Sequence, residues 1–229
     1  KINGQVKWYD LSTELFHKIF CKEGLSFIFN KTQSQALKLA DKYEQQNNDN
    51  AAFQLRRYIS QSEKWCNWID IIIKILCNGN REYTHEFVRS AHVPRGNRME
   101  QYLSNLNRDV TVEDSQILAS LALADLADYI TTVYDQNFAL IRYAESLAVS
   151  TATFSQAEAQ LNSPILTDFY KPLLQNIFQQ TSGNTLFCIS IPFPGTFVSS
   201  LFTAKQIRSH YKNQEIGRAS CRERVSYIV

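Results

Sequence analysis

The residues able to do chemistry are few, and their spacing decides what they can do. His85-Glu86 opens as the HExxH helix of a zinc hydrolase does, where two imidazoles one turn apart hold the metal and the glutamate serves as base. Arg89 stands where the second histidine belongs, so that helical face cannot grip zinc. Five cysteines, at 21, 66, 77, 188 and 221, form an odd set without a CxxC pair. They fit neither a disulfide framework nor a zinc cage and point to a reducing compartment, the cytoplasm. Cys188 lies in an apolar run, where a free cysteine is expected in the core. His17, His92 and His210 have no recognisable Asp or Cys partner, so surface or satisfied-core positions are expected for them. Gly195-Thr196 differs in kind: a glycine just before a helix lets backbone amides receive a phosphate. A tight turn needing glycine's freedom explains the same pair equally well.

Composition limits the reading further. The chain has 229 residues, 44% of them hydrophobic, with 7 Gly and 5 Pro, enough for a real core and unlike a disordered chain. A net charge of +2, with basic pairs such as Arg56-Arg57 scattered, gives no electrostatic footprint for nucleic acid. No uninterrupted apolar run reaches the roughly 20 residues of a membrane span. The chain opens at Lys1 without a signal or transit pattern and is expected to be a piece of a longer protein. Glu215-Ile216-Gly217-Arg218-Ala219-Ser220-Cys221-Arg222-Glu223-Arg224-Val225 resembles the translation of a sequencing adapter. Residues 215–229 are therefore expected to be a non-native tail, and Cys221 and its neighbouring arginines carry no functional weight.

Helical periodicity dominates the elements that must position these groups. Gln5 to Leu11 alternates loosely and predicts a short strand, after which Ser12 caps a helix that Gly24 ends. A second helix is predicted over 33–46, then a polar loop at 45–50. From Ala51 to Cys77 the apolar positions thicken into one continuous, largely buried helix, with Trp65 and Trp68 in the core. Shorter helices follow at 81–91 and 97–107, separated by Val93-Pro94-Arg95-Gly96, and longer ones at 113–134 and 138–160, the last two expected as an antiparallel pair. The whole stretch 12–161 reads as one irregular bundle.

Ser163-Pro164 then starts a helix that Pro172 should kink near Lys171, giving two short helices or one bent one. Thr185-Leu186-Phe187-Cys188-Ile189-Ser190-Ile191 is a nearly continuous apolar run, as in strands covered on both faces of a parallel sheet. Pro192-Phe193-Pro194-Gly195-Thr196 cannot continue it, and Phe197, Leu201, Ala204 and Tyr211 give a following helix its inward face. The loop at 192–196 lies at the carboxyl end of the strand, where open parallel sheets meet their ligands.

Ser163-Pro164-Ile165-Leu166-Thr167-Asp168-Phe169-Tyr170-Lys171-Pro172-Leu173-Leu174, followed by Ile189-Ser190-Ile191-Pro192-Phe193-Pro194-Gly195, resembles radical SAM proteins with an N-terminal B12-binding domain; the likeness covers residues 163–212. It implies an α/β fold: a partial flavodoxin-like, Rossmann-like cobalamin-binding domain, predominantly helical in this chain because of a large helical insertion. Residues 1–11 would be the first visible strand of that domain, ending in Asp10. Residues 12–161 would be the insertion, and 162–214 a helix-strand-loop-helix part of the same domain.

By this resemblance Ser190, Pro192, Phe193, Pro194, Gly195 and Thr196 contact cobalamin, with Pro192 where the family's Ser-x-Leu turn has leucine. No DxHxxG is present, so no histidine is expected to replace the cofactor's lower ligand. The family's chemistry lies in a barrel whose CxxxCxxC holds a [4Fe–4S] cluster that binds S-adenosylmethionine. Cys21, Cys66, Cys77 and Cys188 do not have that spacing. The chain is therefore expected to bind the cofactor, to dock on the barrel of its own protein, and to be inactive alone, with a substrate that is open and could be a peptide. An alternative is a non-enzymatic helical module that binds a protein or peptide. A nucleotide-binding Rossmann-like domain is a third, with no GxGxxG or Walker A run behind it.

Overall fold

The computed structural model describes residues 6–78, 81–138, 154–181, 185–191, 196–211 and 216–219. The protein is predominantly helical and divides into two compact units, residues 17–140 and the combination of 1–16 with 141–229. Residues 6–10 are not a strand, contrary to the β-rich reading of the opening segment. Among the described residues no strand pairs with them, and Asp10 instead turns the chain into helix α1 (Leu11–Ile19). Its Oδ1 accepts the Thr13 amide at 3.1 Å and its Oδ2 the Thr13 hydroxyl at 2.8 Å, so Asp10 caps the helix in place of Ser12. These bonds hold the Asp10 carboxyl below its ordinary range.

The helical unit contains α2 (Lys22–Gln45), α3 (Asp49–Ser60), α4 (Ser62–Asn78), α5 (Arg81–Arg89), α6 (Asn97–Ser104) and α7 (Ser115–Val133), the last entered through a 3-10 turn at Val112–Asp114. Gly24 lies inside α2 rather than ending α1. A side chain there would meet the Lys18 and Ile19 carbonyls at 2.1 and 2.6 Å, so the bare backbone lets the first turn of α2 pass over the end of α1. The polar stretch after Gln45 shortens to a tight turn, with Asn47 in the left-handed region at φ 59° and Asn48 accepting the Ala51 amide at 3.3 Å to start α3. Asn suits that conformation because its short side chain tolerates it better than most.

The long helix expected from 51 to 77 is two helices with a one-residue break at Gln61. The apolar stripe continues through the break. Trp65, Ile69, Ile72 and Ile75 are fully buried with Leu126 and Ile130 of α7, and Tyr58 of α3 stacks on Trp65 with ring centroids 5.9 Å apart. Burial of each such side chain contributes about 1.5–3 kcal/mol. Trp65 and Trp68 are core residues, as the packing argument expects. Residues 112–133 are long and apolar enough to cross a membrane, with an 18-residue stretch of mean hydropathy 1.2, yet 61% of that stretch is buried inside the protein. It is the central core helix.

The second unit holds α8 (Phe154–Gln160), α9 (Lys171–Gln179), β1 (Phe187–Ser190), α10 (Phe197–His210) and β2 (Ile216–Ala219). Most of the helix predicted at 138–160, and so its packing against 113–134, lies outside the described residues. Ser163 starts the next helix as expected, its Oγ accepting the Leu166 amide at 3.4 Å. The helix runs on through Pro172 instead of splitting in two. Having no N–H for the carbonyl one turn back, the proline is accommodated by a π turn at Leu166–Tyr170 in which the Lys171 amide bonds the Leu166 carbonyl, and α9 follows directly. Leu166, Tyr170, Leu174 and Phe178 then join Leu161, Phe202 and Ile207 in one buried cluster, against which Leu11, Leu15, Phe187 and Ile189 pack.

Candidate functional site

The strand that was expected to be covered on both faces is covered on one. In β1, Phe187 and Ile189 are half-buried against the cluster, whereas Cys188 and Ser190 are exposed. Phe187 meets Phe178 edge to face at 6.3 Å and Tyr211 at 5.3 Å. Cys188 is thus a surface residue and not a core one, because the strand's period-2 alternation turns it away from α9 and α10. The strand's neighbour is β2, parallel, with Phe187 opposite Ile216 and Ser190 opposite Ala219. β2 comes from the segment read as a non-native tail. Ladder hydrogen bonds are main-chain bonds, so a segment of almost any sequence can occupy the β1 edge. The described sheet has these two strands and no more, short of the several parallel strands of a flavodoxin-like sheet.

Of the six residues expected at the cofactor, two fall on described positions. Ser190 is exposed at the carboxyl end of β1, and Thr196 is half-buried at the start of α10. Pro192, Phe193, Pro194 and Gly195 lie outside the described residues. Thr196 occupies the N-cap position of α10 without a side-chain capping bond, while its carbonyl accepts the hydroxyls of Ser199 at 3.0 Å and Ser200 at 2.7 Å. Deeper in α10, Thr203 donates to the Ser199 carbonyl at 2.8 Å and meets the Tyr170 hydroxyl at 2.9 Å. Burial pushes the Tyr170 phenol up, so it stays a neutral hydrogen-bonding group.

No family model, curated protein or solved structure matches this chain. A hydroxyl at the end of a parallel strand and the amides of a following helix start can bind an oxyanion or a sugar hydroxyl. They offer no nucleophile-base pair and no set of metal ligands; among the described residues no group of three His, Cys, Asp or Glu could hold a metal ion.

Elsewhere the chemistry-bearing residues serve the fold. His85, Glu86 and Arg89 are exposed on α5, apart from any second imidazole on that face. His17, His92 and His210 are exposed too, His210 stacking on Phe178 at 5.1 Å. Burial pushes the Cys66 thiol up, which keeps it a protonated, inert core group. An apolar hollow of about 20 Å³ bordered by Phe87, Val93, Met99, Leu103 and Leu118 has room for little more than a water molecule.

Sequence reasoning missed the buried polar contacts. Asp125, fully buried in α7, accepts the amides of Arg98 at 2.8 Å and Met99 at 3.2 Å, so a residue of α7 caps α6. Gly96 makes this possible: a Cβ there would lie 2.3 Å from Asp125 Cγ. Arg98 also binds Asp128 through Nε at 2.6 Å and a terminal nitrogen at 3.0 Å, and Tyr58 donates to the Asp125 carbonyl at 2.9 Å. Burial pushes the Asp125 carboxyl up to about 6 despite its two amide donors. The one legible signal was an acidic residue amid the alanines and leucines of α7.

Proposed function

We propose that the C-terminal unit binds cobalamin and is the cofactor-holding part of a cobalamin-dependent radical SAM enzyme of the cytoplasm. The carrying observation is the strand-to-helix connection itself. β1 leads into α10, with Ser190 and Thr196 bracketing the connection at the strand's carboxyl end, where open parallel sheets receive cofactors. The resemblance over residues 163–212 supplies the cofactor's identity.

The residues present fit the nucleotide tail of such a cofactor. The Ser190 hydroxyl and the first amides of α10 suit its phosphate and ribose. By the resemblance Pro192, Phe193, Pro194 and Gly195 line the same mouth. Phe197, 38% exposed at the head of α10, offers an apolar contact beside it. Bound cobalamin supplies a cobalt centre able to carry a methyl group; the protein's part here is to hold and orient it. The [4Fe–4S] cluster and S-adenosylmethionine would belong to a barrel outside these residues, and the reaction, on a peptide or another substrate, to that barrel.

Titration of the protein with hydroxocobalamin, followed by visible absorbance, tests the reading. A saturable spectral shift is expected. An unchanged cofactor spectrum, with no cobalamin retained on gel filtration at saturating concentration, would overturn it.

A further inference from the structure

The junction of α3 and α4 carries a polar mismatch that apolar packing leaves unresolved. Trp65 is fully buried, its ring stacked on Tyr58 at 5.9 Å, yet its Nε1–H donates to no group among the described residues. The Oε1 atom of Gln61 is likewise buried and accepts from none of them. A buried indole N–H ordinarily keeps a partner, because a bare donor forfeits its hydration with nothing in return.

The backbone sets these two groups one turn apart. Although Gln61 interrupts the helix, its amide still bonds the Arg57 carbonyl at 3.0 Å, and its carbonyl still accepts the Trp65 amide at 3.0 Å. Gln61 and Trp65 therefore stand at i and i+4 on one face, with Cβ atoms about 5–6 Å apart. Side chains on a helix lean toward its N-terminus, which carries the indole back toward Gln61. Gln54 Oε1 is also buried without a partner, but it lies about three turns, or about 16 Å of helix axis, before Trp65 and leans away from it.

Whatever joins Nε1–H to Oε1 has to accept on one side and donate on the other. A cation is repelled by the indole donor and an anion by the amide oxygen, and a close-packed core admits only a very small molecule. Water meets all three demands: it accepts from Trp65, donates to Gln61, and so has the two polar partners that a buried water requires. We propose that Trp65 and Gln61 form a binding site for a single water molecule that completes the core where α3 passes into α4. The site belongs to the helical unit and is independent of the cobalamin reading.

Nuclear magnetic resonance on the full chain tests it. The Trp65 indole proton is expected to show laboratory-frame and rotating-frame Overhauser cross-peaks to water of opposite sign, the mark of a bound molecule as distinct from proton exchange, and to lose them in Gln61→Leu. Absence of these cross-peaks in the parent protein overturns the proposal without any variant having to fold. Gln61→Leu should also lower the folding equilibrium constant about five- to thirtyfold, since the indole is then left unsatisfied. Made in a protein that already carries Trp65→Phe, the same change should cost less than about twofold, because both polar partners are then gone. An equal cost in the two backgrounds overturns the bridge. A cost that depends on Trp65, with no cross-peak to water, shows a direct bond between the two side chains and overturns the water.

Discussion

Asp125 is the residue with the sharpest consequences. A carboxylate that accepts two amides at a helix start gains from both bonds and from the helix dipole, but here removal from water outweighs them and its pKa rises to about 6. The native state then binds the proton more tightly than the unfolded chain, whose carboxyl titrates near 3.8. Stability contributed by this site therefore falls as pH rises from about 3.8 to about 6. Arg98, Asp128, Tyr58 and Arg57 set the local field. Measured by urea unfolding, the stability of the parent protein relative to Asp125→Asn is expected to drop across that window and level off above it; a rise would contradict the assignment. Asp114 works in the opposite direction. Held by Arg108 at 2.7 Å and by the Thr111 amide at 2.8 Å, its carboxyl lies well below the usual range. Its contribution is present above the ordinary carboxylate pKa and is lost only as pH falls through the depressed one. Gly96→Ala should cost about 1–3 kcal/mol by the same unfolding measurement, because its methyl group would displace Asp125 from α6.

At the scale of elements, the turn between α2 and α3 gives a clean comparison. Asn47→Gly should be neutral to within about 0.5 kcal/mol, whereas Asn47→Val should lose about 1–2 kcal/mol, since a branched side chain resists a φ of 59°. Denaturant midpoints of the two variants decide it. The same element shows what periodicity can and cannot reveal. The apolar stripe of Trp65, Ile69 and Ile72 made α4 legible, because burial repeats with the helical period. The break at Gln61 was not legible: Tyr58 and Trp65 keep their stripe across it, and nothing in the residue types there marks an end. Pro172 announced a disturbance but not its form, since a kink and a π turn both relieve the missing amide. At the candidate site, the end of β1 was legible because a proline-rich stop after an apolar run marks a strand's carboxyl end. Tyr170 could be quoted as part of a likeness, yet its bond to Thr203 joins positions 33 residues apart, a separation no local pattern encodes. The opening strand failed for a related reason: β-forming residue types need a partner strand, and Asp10 found Thr13 first.

At the scale of the molecule, residues 17–140 carry a closed core of their own, from Leu25 and Ile28 to Trp65, Leu126 and Ile130. A chain limited to those residues is expected to be helical by circular dichroism and to unfold in one cooperative transition; a gradual, non-cooperative melt would show that the unit depends on the rest of the protein. Ile72→Ala within it should cost about 2–5 kcal/mol, as other buried truncations do. The fastening of α6 by Asp125 also governs the order in which this unit can assemble. Eight residues are too few to persist as a helix in water, and the group that satisfies the first amides of α6 arrives from a segment 26 positions further along. During refolding α6 must wait for α7, so an isolated peptide spanning 93–106 would be a coil, and substitutions in α6 should accelerate unfolding far more than they slow folding.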